Sequence, residues 1–138
     1  MFERDPDLFY ASTHQWPLYP GTGSEREQGV DGNVVNAPLA AGSGSSEFRR
    51  AFERIILPRL DGFMPEIVLI SAGFDAHADD PLAALNLVED DYGWATAEMC
   101  KIAERHAKGR VVSALEGGYD LHALAVSAAA HVRALMAA

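Results

Sequence analysis

The sequence has 138 residues, of which 49% are hydrophobic, and this composition predicts a single globular domain over residues 1–138. A formal net charge of −9 argues against direct binding to a nucleic-acid backbone, which requires clustered basic side chains. No apolar run is long enough to cross a membrane, and the N-terminus lacks the pattern of a secretory signal. The single cysteine, Cys100, excludes an internal disulfide and favours a reducing, cytoplasmic setting.

The hydrophobic pattern predicts strands that alternate with helices. Residues 1–6 are expected to form the last turn of a truncated element. The predicted strands lie at about 7–13, 33–39, 67–70 and 110–115, and the predicted helices begin near residues 45, 91 and 121. This alternation is typical of an α/β domain with a parallel sheet and flanking helices.

Each helix carries predictions about its ends and its buried face. Ser45 or Ser46 is the expected N-cap of the first helix, and Pro58 is expected to kink or end it. Asp90 or Asp91 is the expected cap of the second helix. Apolar or His side chains at helical spacing predict these buried faces: Phe48, Phe52, Ile55 and Ile56; then Trp94, Met99 and Ile102; and finally Leu124, Ala128, His131, Val132 and Leu135.

A long connection from His14 to Gly32, rich in Gly, Pro, Ser and Glu, separates the first two predicted strands. A loop of this length inside a compact domain is usually functional or disordered. Trp16 and Tyr19, which neighbouring prolines stiffen, favour an ordered binding loop. The alternative explanation for Tyr19 is plain core packing.

The stretch from Glu66 to Leu82 organises the rest of the chain. Its β-branched run, Ile67–Ile70, lacks polar alternation and predicts a strand that is buried on both faces of a parallel sheet. Asp75 follows the end of this strand, where ligands bind in open α/β sheets. The alternative is that Asp75 caps a turn or the next helix. This stretch alone does not decide between the two.

A second apolar run, Arg110–Leu115, leads into another unusual sequence that contains Gly117, Gly118 and Tyr119. Paired glycines let the backbone approach a ligand closely or adopt a positive φ. Tyr119 follows its strand at the same kind of position as Asp75. We therefore expect Asp75 and the Tyr119 hydroxyl to point into one cleft at the carboxyl ends of two parallel strands.

Five motifs occur along the chain, and their combination is specific although each alone is weak. They are Ser12–Gln15 (STHQ), Tyr19–Gly23 (YPGTG), Asn33–Leu39 (NVVNAPL), Ser71–Leu82 (SAGFDAHADDPL) and Leu115–Tyr119 (LEGGY). Together, and in this order, they resemble the zinc-dependent histone deacetylase superfamily, in the variant of class II-like enzymes and of bacterial acetoin-utilisation and acetylpolyamine amidohydrolase relatives. The resemblance implies part of an arginase/deacetylase-like three-layer fold. It also implies hydrolysis of acetyl-lysine or a related acetylated amine.

The resemblance also implies roles for residues at the strand ends. It assigns Asp75 as a ligand of a catalytic zinc ion and Tyr119 as the phenol that hydrogen-bonds the oxyanion. It implies that Gly117 and Gly118 let the backbone lie against the substrate, and that Leu82 lines the pocket.

Further implied positions lie in the first strand and in the long loop. Tyr19 matches an aromatic wall of the acyl-lysine tunnel. Ser12 and Thr13 match a structural monovalent-cation site, for which potassium is the candidate ion. His77 matches no ligand of the family, although its spacing from Asp75 would put both side chains on one face of a strand.

Two other motifs of the family lie upstream of these and do not occur in this sequence. They supply two further zinc ligands and a catalytic pair of histidines. The chain is therefore expected to be the C-terminal portion of a histone deacetylase domain, and whether it is an enzyme alone stays open. The alternatives are a non-catalytic remnant or partner-binding module, and an acetylpolyamine amidohydrolase. A strand without its neighbour exposes an apolar edge, so self-association or binding of a missing N-terminal half is also expected.

Overall fold

Four strands and their flanking helices follow the predicted order in the computed structural model, which describes residues 3–138. The turn expected at residues 1–6 includes Met1 and Phe2, which lie outside the described residues. None of the helices within 3–138 combines the length and the apolar character that a bilayer requires. The elements are β1 (Tyr10–Gln15), β2 (Val34–Leu39), α1 (Ser45–Ala51), a π-helical segment (Phe52–Ile56), α2 (Leu57–Phe63), β3 (Val68–Ala72), α3 (Glu89–His106), β4 (Val111–Leu115) and α4 (Leu121–Met136).

The strands form two parallel pairs. β1 pairs with β2 along the full length of both strands, and β3 pairs with β4 in the same way. The parallel pairing confirms the predicted class, although the described strands make two separate pairs instead of one continuous sheet. β1 begins at Tyr10 rather than at Asp7, because Asp7 lies in a turn that the Leu8 amide closes on the Asp5 carbonyl at 3.2 Å.

One face of the β3–β4 pair is covered by helices and the other is bare. Val68 is buried in a cluster with Ile102 and Ala103 of α3. Leu69 points the opposite way and is 71% exposed, and its register partner Val112 on β4 is also exposed. The prediction that this strand is buried on both faces is therefore wrong for this chain. The predicted exposed apolar surface is confirmed, and we call the surface of Leu69 and Val112 the bare face.

The first helical region is continuous through α1, the π-helical segment and α2, but its winding changes in the middle. A π-helical turn has a wider spacing of hydrogen bonds, so side chains within it can depart from the predicted α-helical stripe. Phe48 and Ile56 are buried as predicted, whereas Ile55 is exposed. Pro58 does not end the helix. It falls at the start of α2, directly after the π-helical turn, where the hydrogen-bond ladder changes its spacing.

Asp91 joins the start of α3 to α1. Its fully buried carboxylate accepts hydrogen bonds from Ser45 Oγ at 2.6 Å and from Arg49 Nε at 2.9 Å. It also accepts from the Val88 amide at 3.1 Å, so Asp91 caps α3 from within the first turn while Val88 is the N-cap residue. The predicted N-cap of α1, Ser45 or Ser46, is wrong, because Gly44 is the N-cap residue and the Ser45 hydroxyl bonds Asp91 instead.

His131 of α4 links its helix to α3 and to β4. Thr96 Oγ1 donates its proton to the Tyr92 carbonyl at 2.7 Å, so it must accept from His131 Nδ1 at 2.6 Å. The unprotonated Nε2 of His131 then accepts from Ser113 Oγ at 2.8 Å. His131 is thus a neutral, fully bonded core residue, and its burial lowers the pKa of the imidazole.

We predict that His131 makes the chain less stable in mild acid. Its folded pKa lies below the ordinary value of 6.5, so the unfolded chain takes up a proton that the native chain rejects. The stabilising contribution is complete above about pH 6.5 and falls as the pH drops below it, by up to about 1.4 kcal/mol per pH unit. Urea unfolding at about pH 7.5 and about pH 5.5 measures this loss.

The matched control is His122, which is exposed on the same helix. His131→Gln should lose less stability on acidification than the parent, although it is less stable at neutral pH. His122→Gln should lose as much as the parent. Equal losses in the parent and in His131→Gln would contradict the assignment of the pH dependence to the buried imidazole.

We also predict that the bare face drives self-association of the isolated chain. Sedimentation velocity over a concentration series should show oligomers for the parent and fewer of them for the double variant Leu69→Gln and Val112→Gln, because both changes remove exposed apolar area. Met136→Gln, which alters an exposed side chain at the end of α4, is the control. A monodisperse monomeric parent that unfolds cooperatively would disprove this prediction.

Candidate functional site

The loops that follow β3 and β4 are joined by their backbones. We call residues 73–88 the Asp75 loop and residues 116–120 the Tyr119 loop. The Glu116 amide donates to the Ala72 carbonyl at 3.0 Å, and the Phe74 amide donates to the Gly117 carbonyl at 2.8 Å. The parallel pairing therefore continues past the strand ends and brings the two loops together at the carboxyl edge, as predicted.

Asp75 presents an uncommitted carboxylate between these loops. The side chain is half-buried against Gly117, where an added Cβ would approach Asp75 Oδ2 to 2.7 Å, and against Gly73, where it would approach Oδ1 to 3.1 Å. The carboxylate accepts no hydrogen bond from any residue within 3–138. The alternative in which Asp75 caps a turn or the next helix is wrong, because its carboxylate accepts no backbone amide within these residues and α3, the next helix, has Val88 as its N-cap and is capped by Asp91.

Tyr119 presents an equally uncommitted phenol. Its side chain is half-exposed, and its hydroxyl makes no hydrogen bond within the described part of the chain. Gly118 precedes it with a φ of 139°, and a Cβ there would approach Leu124 Cδ1 to 2.9 Å and Phe74 Cβ to 3.3 Å. Gly118 thus serves close packing of the Tyr119 loop on Phe74. The direction of the hydroxyl relative to Asp75 stays a prediction.

Tyr92 of α3 supports the start of the Asp75 loop, a role that the sequence pattern did not indicate. Its buried hydroxyl donates to the Phe74 carbonyl at 3.1 Å, and its ring packs edge-on against Phe74 with centroids 5.1 Å apart. Burial, followed by the negative charges of Asp75 and Asp80, raises the pKa of Tyr92 far above its usual range. Tyr92 therefore stays a neutral donor. The only available signal was its inward position at the start of α3.

The long loop after β1 is ordered by polar contacts, as predicted. His14 Nε2 donates to the Gly23 carbonyl at 2.9 Å, while Nδ1 accepts from Ser12 Oγ at 2.9 Å. Asn36 Nδ2 donates to the Glu27 carbonyl at 3.0 Å. Tyr19 is 94% exposed, so the alternative of core packing is wrong and its ring is free to contact a ligand.

The roles of three predicted residues near this loop, Ser12, Thr13 and Leu82, stay predictions. Ser12 already bonds His14, and a potassium site at Ser12 and Thr13 stays a prediction. Leu82 is exposed in the Asp75 loop. The nearby Ala84 amide donates to Gln15 Oε1 at 2.7 Å, which brings this part of the Asp75 loop to the carboxyl end of β1.

His77 is not oriented as a metal ligand. The residue is buried, and its Nδ1 accepts from the Asp79 amide at 3.1 Å, so the neutral ring carries its proton on Nε2. Neither nitrogen then offers a free lone pair. No group of three His, Cys, Asp or Glu residues within 3–138 could hold a metal ion. A carboxylate is a good zinc ligand, so Asp75 fits such a site as one member of it.

Comparison with known proteins relates the whole chain to one family. A family model described as "Histone deacetylase domain" matches residues 1–135. The chain is similar to histone deacetylase 14, chloroplastic, of Arabidopsis thaliana, with 44% identity over 138 residues that cover 98% of this chain and 33% of the relative. It is also similar to a probable deacetylase of Archaeoglobus fulgidus, with 40% identity over 124 residues that cover 88% of this chain and 34% of the relative.

Two solved structures share the fold. The crystal structure of the HDA15 HD domain superposes with a TM-score of 0.90 at 34% identity and covers 99% of this chain and 39% of that chain. The structure of the histone deacetylase Clr3 superposes with a TM-score of 0.89 at 33% identity and covers 99% of this chain and 24% of that one. The chain therefore spans about a third of the length of the first curated relatives that it matches.

We predict that the isolated chain binds zinc weakly or not at all. One carboxylate cannot form the site of three protein ligands that catalytic zinc normally requires. Elemental analysis after dialysis against zinc should give much less than one equivalent for the parent and no further loss for Asp75→Asn. Stoichiometric zinc that Asp75→Asn abolishes would contradict this prediction and would indicate a site shared between copies of the chain.

Proposed function

The chain belongs to the histone deacetylase family, and on this premise we propose that it forms part of a zinc-dependent site that hydrolyses acetyl-lysine or a related acetylated amine. Members of the family are deacetylases and generally use a metal ion. The observation that carries the proposal is the placement of an unbonded carboxylate and an unbonded phenol, Asp75 and Tyr119, on two joined loops at one sheet edge.

The proposed chemistry is hydrolysis of an amide. A bound zinc ion supplies polarisation of the carbonyl and a water of lowered pKa. Asp75 would hold the ion. Tyr119 would donate its phenolic proton in a hydrogen bond to the carbonyl oxygen, which gains charge in the transition state. The backbone at Gly117 and Gly118 would lie along the substrate, while the missing side chains leave room for the Asp75 carboxylate and for Leu124.

The family resemblance implies apolar side chains beside these groups, which would suit an acylated amine. We propose that the exposed rings and chains of Tyr19 and Leu82 flank the aliphatic part of the substrate. A potassium ion near Ser12 and Thr13 would serve structure rather than chemistry. A cytoplasmic setting agrees with the free, buried thiol of Cys100, whose pKa is raised by burial.

The remaining zinc ligands and the general base are proposed to come from outside this chain. Asp75 is one ligand of three, and the bare face at Leu69 and Val112 is the kind of surface that a further layer of the same domain would cover. A complete enzyme would therefore need the upstream part of a deacetylase domain, joined covalently or bound as a partner.

Tyr119→Phe tests the proposal in a complete domain, made by joining this chain to the upstream part of a relative's deacetylase domain. The change removes one hydroxyl and keeps the ring, so substrate binding should change little. Losing a donor that acts in the transition state should lower kcat on the order of 10²- to 10³-fold with a similar KM. Assays with an acetyl-lysine peptide and with an acetylated diamine separate the two substrate classes.

Tyr10→Phe is the matched control, because Tyr10 is 53% exposed and Tyr119 is 55% exposed, yet Tyr10 lies at the start of β1. Its kcat should equal that of the parent domain. A Tyr119→Phe turnover within about twofold of the parent would remove Tyr119 from the reaction and leave it as a packing residue.

A further inference from the structure

Asp80 is a buried carboxylate that joins the two loops of the site. The residue is only 6% exposed. Its Oδ2 accepts a hydrogen bond from the Tyr119 amide at 2.7 Å and a longer one from the Asp120 amide at 3.3 Å. Its Oδ1 accepts from the Leu82 amide at 3.1 Å, within the Asp75 loop. One carboxylate therefore holds the backbones of both loops.

The N-terminus of α4 compensates the charge of Asp80. Burying a carboxylate is unfavourable unless protein donors replace water, and three backbone amides do so here. Two of these amides belong to the N-cap residue Asp120 and to Tyr119 before it, where the helix dipole also favours a negative charge. Hydrogen bonds to an ionised acceptor are stronger than neutral ones, so this contact restrains the Tyr119 backbone firmly.

The contribution of Asp80 to the turn before Pro81 does not account for its hydrogen bonds with the Tyr119 and Asp120 amides. The turn into Pro81 uses the bond from the Leu82 amide to Asp80 Oδ1, and the Asp80 amide donates to the His77 carbonyl at 2.9 Å. The bonds from residues 119 and 120 span 39 and 40 positions of sequence and add nothing to that turn. The adjacent Asp79, by contrast with Asp80, is a solvated carboxylate of the same loop, because its side chain is 69% exposed.

We propose that Asp80 is a positioning residue for the deacetylase reaction and acts through Tyr119. This inference rests on the proposed function of Tyr119. On one side of Gly118, the Gly117 carbonyl is held by the Phe74 amide, and on the other side the Tyr119 amide is held by Asp80. With both neighbours fixed, the direction in which the phenol leaves the backbone is fixed as well. Without Asp80, the amides of Tyr119 and Asp120 lose their acceptor, and Tyr119 can turn about the flexible Gly118 although the bonds at Glu116 and Gly117 remain.

The first test compares Asp80→Asn with Asp79→Asn in this chain, since both remove one negative charge from the same loop. An asparagine offers one acceptor oxygen where Asp80 uses two, so the contact to one loop must be lost. Amide exchange measured by NMR should become about tenfold faster or more at Tyr119 and Asp120 in Asp80→Asn, and stay at the parent rate in Asp79→Asn. Unchanged exchange in α3 shows that the effect is local.

The second test needs no variant and so survives a failure of Asp80→Asn to fold. Acid titration of the parent chain should shift the amide proton resonances of Leu82 and Tyr119 with one common midpoint, because both amides donate to the Asp80 carboxylate. Different midpoints, or no response at Tyr119, would overturn the bridge itself.

The third test is a double-mutant cycle in the complete domain used for Tyr119→Phe. Asp80→Asn should lower kcat by about tenfold or more with a similar KM, and should add little to Tyr119→Phe, because it acts through the same hydroxyl. Additive effects would mean that Asp80 supports the fold in general, which overturns the positioning role. A neutral Tyr119→Phe would overturn the proposed function instead, while the exchange and titration results would still report on the bridge.

Discussion

The site depends on the parallel register between β3 and β4. The pairing continues beyond both strands through the bonds from Glu116 to Ala72 and from Phe74 to Gly117. Two loops that are distant in sequence are thereby set side by side at one edge. A shift of one residue in this register would move Asp75 away from its close contact with Gly117. It would also turn the buried side chains of the strand to the exposed face. The chemistry of the loops is therefore fixed by backbone bonds before any side chain is considered.

Local patterns were sufficient to predict the parts of the fold that depend on local physics. The β-branched runs predicted β3 and β4, and the glycines after β4 predicted a close approach of backbone and neighbour, which Gly117 and Gly118 show. The predictions that failed concern burial, which depends on the structure that surrounds each residue. Burial of Leu69 requires a second layer that residues 3–138 do not provide. The exposure of Ile55 follows from a π-helical turn, which a simple helical periodicity does not predict.

The candidate site was predictable in its residues but not in its supports. Asp75 and Tyr119 directly follow the ends of predicted strands, whereas Tyr92 and Asp80 act through hydrogen bonds to backbone atoms that are 18 to 40 positions away in sequence. Such bonds do not produce a periodic pattern in the sequence. The chain belongs to the histone deacetylase family. Its described residues bring one carboxylate and one phenol, neither of them hydrogen-bonded, to the same edge of the β3–β4 pair.

The hydrogen bonds around His131 form part of a closed ring. From Ser113 on β4 they pass through His131 of α4 to Thr96 of α3 and on to the Tyr92 carbonyl, and the Tyr92 hydroxyl continues to Phe74. The Phe74 amide returns to Gly117, directly after β4. A closed circuit of this kind resists shear, because neither strand can slide along the other without breaking it in at least two places. The stiffness of the carboxyl edge of the β3–β4 pair is therefore set partly in the helical layer, at a distance from Asp75 and Tyr119.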